Sequence, residues 1–195
     1  MTGESPRNRI FQAARILFDS EGEAGLSMRR IAAAVGVTPM AIYKHYADKD
    51  ALLNALMLDG FAAWEARVSE ISEPDPIAWL ERLGEAFLDF ALTEPRRYEA
   101  AFLLSASEAR QYPQDFADGR SPVMCQAHQR IEEARSRNRI GGASTTDIGL
   151  VLSALCQGLV SMYRAGRFAS EEDFRTAYRR AVRHCIVSYL TGFKA

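Results

Sequence analysis

The stretch Ser27-Met-Arg-Arg-Ile-Ala-Ala-Ala-Val-Gly-Val-Thr-Pro-Met-Ala-Ile-Tyr-Lys-His-Tyr-Ala-Asp-Lys49 decides how the rest of the chain is read. Ser27 is placed to cap a short helix through Val35, its hydroxyl accepting from a free N–H of the first turn. Gly36-Val37 makes a turn, for which the permissive Gly36 is suited. Thr38-Pro39 repeats the cap, now with Pro at the first helical position, where its missing N–H costs nothing. Two short helices crossing over a tight turn need a small residue at the crossing, and Ala32 meets that need. Ile31, Val35, Val37 and Ile42 supply an inward apolar face, which leaves Arg29, Arg30, Thr38, Met40, Tyr43 and Lys44 outward.

Helical patterns continue on both sides. Upstream, Ile10, Ala13, Ala14, Leu17 and Phe18 recur at helical spacing behind Ser5-Pro6 and stop at the Gly-rich break of residues 21–25. Downstream, Asp48 caps a fourth helix with Leu52, Leu56, Phe61 and Trp64 near one face, which ends before Ser72-Glu73-Pro74. A fifth follows Asp75-Pro76 and stops at Thr93-Glu94-Pro95. Further helices are expected over about 96–110, 122–138, 145–165 and 171–191, with Gly141-Gly142 as a break and Ser170-Glu-Glu-Asp173 as the box that opens the last. No sustained period-two alternation and no fixed repeat appears. The fold class is therefore all-α, with about nine helices. Three of them form an N-terminal domain in residues 1–50, followed by a larger helical domain in residues 51–195.

Composition bounds the function classes. The 195 residues are 48% hydrophobic and 25% charged, ordinary values for a globular protein and wrong for disorder or collagen. The net charge of −1 hides an asymmetry: residues 27–46 hold three basic side chains (Arg29, Arg30, Lys44) and no acidic one. Residues 1–50 hold seven basic against six acidic residues, and the remainder seventeen against nineteen. No unbroken apolar run reaches the roughly 18 residues of a membrane span, Ile148–Val160 being interrupted by Ser153 and Gln157. The N-terminal residues lack the layout of a secretory signal. No membrane association and a cytoplasmic location are expected. Cys125, Cys156 and Cys185 have no close pair and read as reduced core residues. Cys125 and His128 share a helix, yet no further ligand stands at metal spacing. Neither a metal nor another cofactor is expected, and no nucleophile elbow, phosphate loop or H-E-x-x-H pattern marks an enzyme.

The outward face of residues 27–49 is basic and rich in hydrogen-bonding groups. A helix from Thr38 to Tyr46 is roughly 13 Å long, close to the width of the DNA major groove at about 12 Å. Lys49 would set an ammonium at the start of the fourth helix, where free N–H groups also favour phosphate. The bland alternative is a solvated charged face.

The ordered set Ile31-Ala32, Gly36-Val37, Thr38, Tyr43-Lys44-His45-Tyr46 and Lys49-Asp50-Ala51-Leu52 closely resembles the DNA-binding domain of the TetR family of bacterial transcriptional regulators. Val35 and Ile42 depart mildly from its pattern, on the inward face. The resemblance covers about residues 7–56; beyond that only length and helix count correspond. It implies a regulator, most commonly a repressor, that binds a palindromic double-stranded operator as a homodimer and is released by a small, largely apolar effector. It implies phosphate contacts from Tyr43, Lys44, His45 and Lys49, with Arg29, Thr38, Pro39 and Met40 nearest the base edges. Trp64, Phe87, Phe90, Tyr98, Phe102, Met124, His128 and Tyr163 are core residues first, and in such a domain become candidates for an effector pocket. Leu150, Ala154, Gly158 and Ser161, with Ala181, Cys185 and Tyr189, leave more apolar surface than one core uses and are candidates for a dimer seam. Two other readings stay open: a helical enzyme or ligand-binding module with no operator, and a DNA-binding protein that senses nothing.

Overall fold

The computed structural model describes residues 5–190. Among them regular structure is helical, apart from one isolated bridge between Ile140 and Leu190. In chain order the helices are α1 Pro6–Glu21, α2 Met28–Val35, α3 Pro39–Tyr43, α4 Lys49–Ser69, α5 Pro76–Thr93, α6 Pro95–Phe102, α7 Gln114–Ala117, α8 Pro122–Ser136, α9 Thr145–Arg164 and α10 Glu171–Ser188, with a 3-10 turn at Glu23–Gly25.

Capping explains most of the starts. The hydroxyls of Ser5, Ser27, Thr38, Ser144 and Ser170 each accept the third N–H of the helix they precede, at 3.0–3.3 Å. Asp48 does the same for α4 at 2.8 Å, and Asp75 for α5 at 2.9 Å. Gly36 ends α2 at φ +77 and ψ +36, a left-handed conformation that strains any residue with a Cβ.

Two features differ from the sequence expectation. The helix expected over 96–110 stops at Phe102, and a one-turn α7 appears that no pattern announced. The stop has a cause distant in sequence: the side chains of Asp50 and Asn54 accept the backbone N–H groups of Ser107 and Glu108, both at 3.1 Å. A continuing helix would have needed those donors for its own carbonyls. The last helix ends at Ser188, and Thr191, its expected end, lies outside the described residues.

The chain divides into two compact units. The first comprises residues up to Ala63 together with Glu94–Ala109. Its core holds Ile10, Ala14 and Phe18 of α1, Met28, Ile31 and Ala32 of α2, Ile42 of α3, and Leu52, Leu53 and Leu56 of α4, closed by Ala100 of α6. This grouping differs from a cut after residue 50, because the first half of α4 gives its leucines to the same core as α1–α3.

The second unit comprises Trp64–Thr93 and residues from Arg110 onward. Within it α5 packs on α8, α9 and α10, and α9 packs on α8 and α10. Gly84 permits one of these approaches: a Cβ there would lie 2.9 Å from Val182, and the buried Tyr178 hydroxyl donates to the Gly84 carbonyl at 2.9 Å. Gly149 permits another, against Met124 and His128. Burying a side chain of the size of Phe90 or Leu88 contributes about 1.5–3 kcal/mol. The half-exposed Arg175–Asp89 and Arg179–Glu85 pairs between α10 and α5 add about 0–1 kcal/mol each.

Candidate nucleic-acid interface

Two arginines adjacent in sequence have separate fates. Arg30 is engaged by its own unit: its guanidinium donates to both carboxylate oxygens of Glu21 and, at 2.9 Å, to the Gly25 carbonyl. That hydrogen-bonded guanidinium holds the Glu21 carboxyl below the usual carboxylate range. Arg29 is exposed and has no hydrogen-bond or ion-pair partner among the described residues. Lys44 and His45 are likewise exposed, and their side chains have none among those residues. These three groups can therefore meet an external anion without first breaking an internal bond.

The rest of the expected contact set lies on the same short stretch. Thr38, Pro39, Met40 and Tyr43 are all exposed, Met40 to 71%. An apolar side chain that far into water at a helix start is suited to contact with a thymine methyl. The α-helix proper covers only Pro39–Tyr43, shorter than the expected 38–46, because the chain turns at Lys44. The Tyr46 N–H still reaches the Ile42 carbonyl at 3.0 Å, so the helical path persists to the buried Tyr46. Ile42 is fully buried and anchors the short helix from beneath. Lys49 is half-buried and 3.4 Å from Glu23, a weak surface pair that a phosphate can replace at small cost.

Two further residues support this face. The Arg7 guanidinium lies over the Tyr46 ring, 5.2 Å from its centroid. Arg9, not singled out in the sequence, donates to the Val35 carbonyl at 3.2 Å and ties α1 to the end of α2. A bond between residues 26 positions apart leaves no sequence signal. The chemistry assembled here is a cationic, donor-rich surface with a small apolar tip, able to bind phosphates and touch base edges.

The aromatic and polar residues considered for an effector fall into separate groups. Trp64, Phe87 and Phe90 of the second unit form one cluster, with Trp64 5.5 Å from Phe87 and 5.6 Å from Phe90. Met124 and His128 face Gly149 in the same unit. The buried Nε2 of His128 makes no hydrogen bond among the described residues, and burial pushes its imidazole pKa down against the opposing carboxylate of Glu132. Tyr163 stacks on Phe174 at 4.4 Å. Tyr98 and Phe102, 5.4 Å apart, belong to the first unit.

Of the seam residues, Leu150, Ala154, Gly158 and Ser161 are exposed on α9, while Ala181, Cys185 and Tyr189 are half-buried. Cys125 is exposed, not core, because on α8 its thiol points outward near the Gly119 carbonyl. Cys156 is buried, which pushes its thiol up to about 11. By length and mean hydropathy, 1.3, α9 is apolar enough to cross a membrane, although no unbroken apolar run in it reaches that length. Its single polar interruptions are diluted when hydropathy is averaged over the helix.

The model of bacterial regulatory proteins of the tetR family matches residues 10–56, and that of the tetracyclin repressor-like C-terminal domain matches residues 80–185. The chain is 26% identical over 188 residues to the nucleoid occlusion factor SlmA of Edwardsiella ictaluri, covering 91% of this chain and 93% of that protein. It is 25% identical over 182 residues to the HTH-type transcriptional regulator UidR of Escherichia coli K12, covering 90% of each. Its fold is similar to that of a putative tetR family transcription regulator from Shewanella sp. PV-4, with a TM-score of 0.70, 20% identity and coverage of 96% and 98%. With those domain matches spanning both the reading helices and the C-terminal bundle, the chain belongs to the TetR family and is a DNA-binding transcriptional regulator.

Proposed function

We propose that the chain works as a homodimeric repressor that holds a palindromic operator and lets it go when a small, largely apolar effector binds. Residues 1–50 are the reader and residues 51–195 the effector and pairing domain in this scheme. The observation that carries it is the exposed surface of Arg29, Thr38, Pro39, Met40, Tyr43 and Lys44, whose cations are uncommitted while the neighbouring Arg30 is tied down. Tyr43, Lys44, His45 and Lys49 take phosphates and set the register; Arg29, Thr38, Pro39 and Met40 face the base edges.

Pairing is supported by the bare apolar face of α9. Val151 and Met162 are 43% and 48% exposed beside Leu150 and Ala154, and nothing lies within 4 Å of where a Cβ on Gly158 would stand. A second copy of the helix can approach closely there, and a two-fold arrangement buries both faces at once. On α10, exposed Glu172 and Asp173 stand two to three turns before exposed Arg180 and Arg183, which have no partner among the described residues. Antiparallel apposition of two copies would set the acidic end of one against the basic end of the other. The same pairing gives the apolar α9 a cover other than lipid, and the scheme locates the protein in the cytoplasm beside its operator, with no turnover of its own.

A two-fold dimer presents two readers to half-sites about 34–36 Å apart or a multiple of that. With about eight phosphates neutralised by Arg7, Arg29, Lys44 and Lys49 of both chains, log K falls against log[salt] with a slope of about −7. A flat salt titration contradicts the scheme. An effector shifts operator affinity only through its preference for one state of the protein, typically about 1–3 kcal/mol. Thermal-shift screening of apolar compounds, paired with operator titration, checks this arm: hits must both stabilise the chain and weaken the operator complex.

A further inference from the structure

Asn54 and Ser121 are the two buried polar residues among the described ones, Asn54 only 6% exposed. A carboxamide is tolerated inside when both its ends are bonded. Asn54 meets that demand with Asp50, four positions before it on α4, and with Ser107 and Glu108, more than fifty positions away. Its Nδ2 donates to Ser107 Oγ at 3.1 Å and to Asp50 Oδ2 at 3.0 Å, and its Oδ1 accepts the Glu108 N–H at 3.1 Å. Asp50 completes the set: Oδ1 accepts the Ser107 N–H at 3.1 Å, and Oδ2 accepts the Ser107 hydroxyl. Each donor and acceptor used is compatible with every other, with the Ser107 hydroxyl accepting from Asn54 while donating to Asp50.

The location gives this cluster its meaning. Asp50 and Asn54 stand four apart on one face of the first turns of α4, directly after Lys49. Ser107 and Glu108 lie just before Arg110, where the chain passes from the first compact unit to the second. First turns of helices open easily, and a turn already held still loses less freedom when it binds.

We propose that Asp50, Asn54 and Ser107 form a positioning clasp for operator binding, which holds the 105–108 segment against α4 and thereby fixes the turn that presents Lys49. The proposal rests on the reading of Lys49 as a phosphate contact. Because binding and closure are linked, the link runs both ways: the clasp raises operator affinity, and the operator must hold the clasp shut.

The test uses the full chain and a duplex selected from random sequence. Amide hydrogen exchange is followed at Ser107 and Glu108 with and without saturating duplex, and both amides slow several-fold in the complex. Ser107→Ala weakens all sequences alike by about five- to thirtyfold with base preference kept, and Ser107→Thr restores most of the loss. Asp50→Asn separates the clasp from simple charge: removing an anion beside DNA should tighten binding, whereas loosening the clasp weakens it. Exchange at Ser107 and Glu108 that ignores the duplex, Ser107→Ala within twofold of the parent, or tighter binding by Asp50→Asn overturns the proposal. Lys49→Ala tells the two failures apart. If it too leaves affinity unchanged, the phosphate reading falls and the clasp with it; if it weakens binding while Ser107→Ala does not, the clasp alone is wrong.

Discussion

The outer face of α2 and α3 and the outer face of α9 are both uncovered by their own units, and their chemistry is opposite. On the first, Arg29, Thr38, Lys44 and His45 are charged or polar groups that water solvates well, with Met40 as one apolar tip on the same stretch. Exposure there costs little, and a polyanion gains by displacing water and counterions. On the second, Leu150, Val151 and Met162 flank Ala154 and Gly158, an apolar strip that gains only by leaving water. The reader can wait alone for its ligand, while α9 leaves an apolar strip exposed to water. In the proposed scheme the partners differ accordingly: a phosphate-lined duplex for one, a second apolar helix for the other.

The most damaging way to probe the contrast is Ala154→Arg, which puts an unmatched charge into the proposed seam. It should weaken pairing by about 3–5 kcal/mol, seen as monomer in analytical ultracentrifugation at concentrations where the parent is paired. A variant that stays paired would move the seam away from α9. Next in size, Arg29→Ala should lose about 1–3 kcal/mol on the best site and relax base preference at one position of each half-site. Lys49→Ala should instead weaken all duplexes together and shrink the salt slope by about 0.9 per chain. Equal behaviour of these two variants would remove the division between reading and holding.

A smaller effect concerns His128. Burial lowers its folded-state pKa, so the unfolded chain binds the extra proton first. Stability is then full above the unfolded value near 6.5 and declines as pH falls toward the lower folded value. Thermal unfolding between pH 7 and 5 should show that decline, and His128→Gln should flatten it. The smallest effect is the control: Arg30→Ala removes only bonds inside its own unit, to Glu21 and to the Gly25 carbonyl, and should leave operator affinity nearly as it was.

How much of this could be read beforehand varied by region. Ser27, Gly36, Thr38 and Pro39 act locally, through caps and one left-handed turn, so their roles are visible in a dozen consecutive residues. The exposed contact residues followed from that turn plus the position of the inward Ile31 and Ile42. Asn54, Arg9 and the stop at Phe102 depend on partners 26 to 57 positions distant, and nothing near them in sequence announces those bonds. The aromatic residues of the C-terminal region were legible as core but not as neighbours. Periodicity assigns a helix face, yet which faces meet is set by close approaches such as Gly84 on Val182.

The central claim is that two copies of the α2–α3 face read one duplex. It is tested most directly by selecting bound sequences from a random duplex library with the full chain. The account predicts an inverted repeat whose half-site centres lie about one helical turn, 34–36 Å, or a multiple apart, with sharpened preference lost at one symmetric pair of positions in Arg29→Ala. Failure to enrich any sequence, or enrichment of a single motif without two-fold symmetry, would contradict it.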